Sequence, residues 1–256
     1  MIEAPQSFIT RQECDKVAFQ NGYRRSLGET DGWRRYGSTT VQGSIWLARD
    51  TTEGWLLALD HGGVIEELDN AAVAIEGPGL ARYAFATLGE LYALIPRIYQ
   101  LAASLPDAPL VQFQAKVRYL PTSTEAERLV VQRIGQDIFR SGLIDYWQGQ
   151  CPLTGIADPA LLRASHIVPW KDCTSDAERL DVYNGLLLSA LWDAAFDRGL
   201  VTFDDEGQPK FSPSLSDVAR AELRWQDSIP LTDNHRKRLS WHRTNLFVSQ
   251  GAAQEN

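Results

Sequence analysis

Residues 165–197 read S-H-I-V-P-W-K-D-C-T-S-D-A-E-R-L-D-V-Y-N-G-L-L-L-S-A-L-W-D-A-A-F-D, and their polar side chains are of the kinds that do hydrolytic chemistry. His166 lies in a short extended piece closed by Pro169, which can continue neither a ladder nor a helix. An unperturbed imidazole titrates near pH ~6.5, so it can accept a proton from water at neutral pH. Asn184 and Gly185 open an apolar run over 186–196 that is predicted as a helix. On that helix Asp193 and Asp197 are four apart, so both carboxylates project from one face. A histidine on a strand facing two carboxylates on a helix supplies what metal-assisted hydrolysis needs: one group to activate water and oxygen ligands for a hard cation. An oxygen-only site favours Mg²⁺ or Mn²⁺ over Zn²⁺. Asn184 is expected to bond backbone groups of the intervening loop and so fix the histidine. A helix cap before glycine also suits asparagine, and the two roles are compatible.

In their order and spacing these motifs resemble an HNH endonuclease of the ββα-metal fold, the branch with S-H-I-x-P-W, then N-G-L-L-L, then D-x-x-F-D. The resemblance takes in R-I-G-Q-D-I-F-R (133–140) and C-P-L-T-G (151–155) upstream, and D-R-G-L-V-T-F (197–203) downstream. It covers roughly residues 120–215, less than half of the chain. The third letter of HNH is missing: Asp193 stands where that histidine is expected, nine residues after Asn184. Asp197 stands where a further ligand histidine often lies, and Ser165 occupies the position before the base where relatives often place another ligand.

The resemblance implies a metal-dependent DNA endonuclease, with a restriction enzyme as one setting. His166 would be the general base, Asn184 its support, and Asp193 and Asp197 the ligands of a single divalent ion. DNA is the expected partner, a homodimer is admitted, and no membrane is involved. The alternative is a noncatalytic nucleic-acid or protein-binding module that retains the nuclease scaffold. A host-directed nuclease toxin is a third reading, disfavoured without a visible delivery segment.

The 256 residues suffice for one large domain or two small ones, and their composition is that of an ordinary globular protein. The absence of a run of about 18 apolar residues argues against a membrane span. The opening M-I-E-A-P-Q-S-F-I-T has no secretory pattern, so a cytoplasmic location is expected. Cys14, Cys151 and Cys173 are far apart and odd in number, which points to a reducing compartment. They form no C-x-x-C pair, so no structural zinc is expected and Cys151 reads as a small buried residue.

The net charge of −8 sits awkwardly with phosphate binding. It is uneven: residues 1–110 carry 9 Lys+Arg against 14 Asp+Glu, and residues 111–256 carry 16 against 19. Arg133, Gln136, Arg140, Lys171 and Arg198 are the candidate phosphate contacts, the first three lying on one side of a predicted helix. Arg163 could join the same basic face. His235 and His242 are distant candidate ligands that read as structural.

The expected class is α+β: a mixed α/β accessory domain over 1–109, of no recognised family, then an HNH-like nuclease domain over 110–256 with its core near 147–205 and flanking helices. P-D-A-P at 106–109 marks the boundary. In the first part, Thr10 with Glu13 could cap a helix. Segments 33–36, 44–49, 55–59 and 64–68 read as strands, and 82–105 as an amphipathic helix that Pro96 kinks or divides. In the second part, 113–120 reads as a strand, and Thr124 with Glu127 caps a helix to about Tyr146. A hairpin is expected around Gly207, then two closing helices, 216–225 and 233–241. The tail from Ser249 is expected to be disordered.

Overall fold

The computed structural model describes residues 2–52, 54–68 and 70–247. The chain divides into two compact units, Met1–Ala108 and Pro109–Asn256.

The first unit is an antiparallel meander of β1 (Arg25–Thr30), β2 (Trp33–Gly37), β3 (Ser44–Arg49), β4 (Trp55–Leu59) and β5 (Ala81–Phe85), in that spatial order. Helices α1 (Phe8–Gln20) and α3 (Leu88–Ser104) pack against it. Trp33, Ala48, Leu56 and Ala58 form a core on the sheet, flanked by Ile2, Trp46 and Ile75. Burial from both sides explains why every residue of β4 is apolar. Asp15 on α1 accepts hydrogen bonds from Arg34 and Tyr36, 2.7 Å each, tying the helix to β2.

Several local expectations differ from the structure here. Ser7, not Thr10, caps α1, its Oγ accepting from the Thr10 N–H at 3.1 Å. Residues 64–68 are not a strand: α2 (Gly62–Glu67) forms there because His61 caps it, Nδ1 accepting from Val64. The stretch read as one helix from residue 82 begins as β5, and α3 starts only after Thr87, which makes a reciprocal capping box with Glu90. Pro96 lies inside α3 without dividing it.

The second unit opens with α4 (Ala108–Val117), where F-Q-A-K-V-R-Y-L (113–120) reads as a strand. The chain is helical because Pro109 and Phe113, four apart, bury one face. Helix α5 (Glu125–Tyr146) begins at the Thr124–Glu127 capping box. Strands β6 (Leu162–His166) and β7 (Gly185–Ser189) pair antiparallel, with Leu162 opposite Ser189 and His166 opposite Gly185. Between them lie α6 (Asp176–Leu180) and a 3₁₀ turn, Val182–Asn184.

Residues 186–189, expected as the start of a helix over 186–196, belong to this second strand; only α7 (Ala190–Asp197) is helical. With α5 and α7 both packed on it, β7 is buried throughout, so its apolar run lacks the alternation that marks a strand. Helix α7 stops at Gly199 (φ 64°), where an added Cβ would lie 2.0 Å from the Leu246 carbonyl oxygen. A hairpin of β8 (Val201–Phe203) and β9 (Pro209–Phe211) follows, then α8 (Asp217–Glu222) and α9 (Asp233–Asn245). No helix among the described residues is long and apolar enough to cross a membrane. The tail expected to be disordered lies outside the described residues.

Candidate active site

Strand β6 delivers two adjacent side chains to opposite faces, as strand alternation requires. His166, its last residue, turns toward α5: the imidazole stacks on Phe139 with centroids 3.8 Å apart and meets Trp170 edge-on at 5.6 Å. Ser165 turns toward α7, where its buried Oγ donates to Asp193 Oδ1. The sequence expectation of a histidine directly facing the helix carboxylates is thus corrected. The residue that meets α7 is Ser165, so the His166 imidazole and the Asp193 carboxylate lie on opposite faces of β6.

The Nε2 of His166 lies 2.9 Å from the Arg179 carbonyl oxygen. A carbonyl can only accept, so Nε2 carries the proton. Burial holds the imidazole pKa below its ordinary value, against the opposing effect of that carbonyl. The ring is therefore neutral at pH 7, with its lone pair on Nδ1.

The carbonyl that sets this tautomer belongs to a loop pinned from inside by Asn184, which is fully buried. Its Oδ1 accepts from the Val168 N–H at 2.9 Å. Its Nδ2 donates to the Val168 carbonyl at 3.1 Å, and to the Glu178 carbonyl and Cys173 Sγ at 3.3 Å each. Arg179 ties the same loop with bonds to the Trp170 and Cys173 carbonyls and an ion pair to Asp176. Close packing completes the support. A Cβ on Gly185 would stand 2.5 Å from Phe139 Cζ, and one on Gly135 would stand 2.6 Å from the Trp170 ring.

Asp193 is half-buried, and burial pushes its carboxyl above the ordinary value. The Ser165 bond opposes that shift, the Asp197 charge adds to it, and Arg163 lowers it again. Asp197, one helical turn on, is exposed. It makes no hydrogen bond or ion pair with any described residue. Among the described residues no three His, Cys, Asp or Glu side chains converge into a metal cluster. The available donors are two carboxylates and a hydroxyl, all oxygen. Such a set suits a small hard cation that keeps several waters and takes further oxygens from its substrate.

The basic candidates are not equivalent. Arg133 is exposed, 3.8 Å from Asp137, and Gln136 beside it is exposed. Arg140 is committed inward, donating to the Leu162 and Pro159 carbonyls at 3.0 and 2.9 Å and anchoring the entry to β6. Arg163 bonds the carbonyls of Ala160 and Leu162. Lys171 and Arg198 are exposed.

His235 and His242 are fully buried. His242 stacks on Phe196 at 4.1 Å, its Nδ1 at 3.0 Å from Thr202 and its Nε2 at 3.2 Å from the Phe196 carbonyl. It braces α7 against α9, and burial lowers its pKa to about 4. His235 completes a capping box at Thr232, and burial lowers its pKa to about 3. Sequence reasoning did not identify the Arg179 carbonyl or the Phe139 and Trp170 rings as parts of the site. Both rings lie in stretches of the family resemblance, R-I-G-Q-D-I-F-R and S-H-I-V-P-W, the one signal that could have found them.

Residues 151–204 match the family model HNH_2, described as HNH endonuclease. No curated protein matches the chain. The matched segment holds β6, β7 and α7 together with His166, Asn184, Asp193 and Asp197, and the chain therefore carries an HNH endonuclease domain in its C-terminal half.

Proposed function

We propose that the C-terminal unit hydrolyses DNA phosphodiester bonds with a divalent cation, His166 acting as general base. The observation that carries this is the Nε2 bond to the Arg179 carbonyl, which leaves Nδ1 with the free lone pair inside a segment that matches a nuclease family. Nδ1 takes the proton of the attacking water. Phe139 and Trp170 hold the ring plane, and Asn184 holds the loop that holds Nε2. Asp193 and Asp197 would hold the ion, Mg²⁺ or Mn²⁺, with Ser165 fixing the Asp193 carboxylate. When bound, the ion supplies positive charge at the phosphate and at the leaving oxygen. Exposed Arg133, Lys171 and Arg198, with Gln136, are the side chains open to contact phosphates. A host-defence role as a restriction enzyme fits this chemistry, with residues 1–109 selecting the target. Phosphate contacts position without specifying, so a net acidic catalytic part gains from a second surface.

The test is nicking of supercoiled plasmid with Mg²⁺ or Mn²⁺, abolished by chelator. Intact plasmid under all metal conditions, with DNA binding retained, would favour the noncatalytic binding module. The lack of a converged three-ligand cluster among the described residues is the observation on that side.

A further inference from the structure

A second concavity opens at the far end of the β6–β7 pair. It is a cleft of about 290 Å³, lined by Ser189 and Trp192 at the start of α7, by the carboxylate-bearing Glu222 at the end of α8, and by Arg224, Trp225 and Gln226 just after it. That segment is fixed at two points. The Trp192 Nε1–H donates to the Arg224 carbonyl at 3.0 Å, and the Gln226 N–H donates to the Leu153 carbonyl at 2.8 Å. Trp225 stands edge-on to Trp192 at 6.2 Å and against Phe211 at 5.6 Å, yet remains 42% exposed. The Arg224 guanidinium makes no hydrogen bond or ion pair with any described residue. Arg140, Arg163, Arg179, Arg236, Arg238 and Arg243 in the same unit are all committed to carbonyls or carboxylates.

An exposed indole, an uncommitted guanidinium and a carboxamide around a cleft of this size match a planar heterocycle carrying an anion. We propose that the cleft takes one nucleobase of the DNA substrate, with Trp225 stacking on the base, Gln226 at its edge and Arg224 on the adjoining phosphate. This rests on the nuclease reading of the neighbouring site. Leu162 and Ser189 mark the cleft end of the strand pair, and His166 and Gly185 mark the catalytic end. Four residues of strand separate them, about 13 Å at ~3.3 Å each, or about four base-pair rises of duplex. A base inside a duplex cannot enter, so the occupant is an unpaired or extruded base a few nucleotides from the scissile bond.

The experiment uses the full chain with chelator and three fluorescent DNA duplexes: fully matched, with one unpaired nucleotide, and with an abasic sugar-phosphate in the bulge. Wild type should bind the base-bearing bulge about tenfold more tightly than the abasic one, the range of base–aromatic stacking. Trp225→Ala, with folding verified by its melting transition, should close that gap, and Trp225→Phe should restore part of it. Equal wild-type affinity for the two bulges overturns the proposal without any variant, as does a gap that survives in Trp225→Ala. Binding to DNA with no base preference counts against the cleft alone. No binding to any of the three duplexes overturns the cleft and the nuclease reading together.

Discussion

His166 Nε2 donates to the Arg179 carbonyl oxygen at 2.9 Å, and that bond decides which ring nitrogen can act as a base. The same bond couples the histidine to the loop that Asn184 holds through Val168, Cys173 and Glu178. Under the proposed mechanism the proton acceptor thus depends on the buried Asn184 amide.

The first expected outcome is a pH profile. Burial lowers the His166 pKa below its ordinary value of about 6.5, and only the neutral ring is a base. The acidic limb of single-turnover cleavage should therefore have its midpoint below pH 6.5. An acidic limb with its midpoint at or above 6.5 contradicts a half-buried His166 held neutral by desolvation.

The carboxylate pair should behave as a unit. Asp193→Ala and Asp197→Ala should each lose nearly all activity, with the double variant little worse, because residues that act together are non-additive. Titration calorimetry should show Mn²⁺ binding weakened in each. Unchanged Mn²⁺ binding in Asp197→Ala removes that residue from the ligand set.

How much of this was legible from residues alone depended on whether the signal was local. The α5 capping box at Thr124 and Glu127 is a local pattern, and the helix starts there. The segment around His166 was legible as a motif, and residues 151–204 match the HNH endonuclease family model. The strand inside that segment was not legible. Gly185–Ser189 is apolar on both faces because α5 and α7 cover both, so tertiary packing erased the alternation that would have marked it. The reverse happened at α4, where alternating polarity imitated a strand while Pro109 and Phe113 buried a helix face. Ser165 and His166 were legible as neighbours on one extended piece, but which of the two faces α7 is set by tertiary packing, and it is Ser165 that meets Asp193.

Acid should destabilise the C-terminal unit through two fully buried histidines, His235 and His242. Burial lowers His235 to about 3 and His242 to about 4, so both stay neutral in the fold. In the unfolded chain each protonates near pH ~6.5, so the unfolded state takes up protons first as pH falls. Stability is intact above about pH 6.5 and is lost on the way down to about pH 4, at roughly 1.4 kcal/mol per pH unit for each histidine. Burial raises the Asp181 and Asp193 carboxyls, which opposes part of that loss. Urea melts between pH 7 and 4.5 should show the midpoint falling. A flat stability profile over that interval contradicts two buried neutral imidazoles.

The most direct test of the account is a side-by-side single-turnover plasmid cleavage assay of wild type and His166→Ala with Mg²⁺ or Mn²⁺, with melting temperature and DNA affinity measured on the same preparations. The account predicts a loss of several orders of magnitude in rate, in the range set by removal of a general base and its oriented water, with folding and affinity retained. A His166→Ala protein that cuts at a rate near wild type contradicts it.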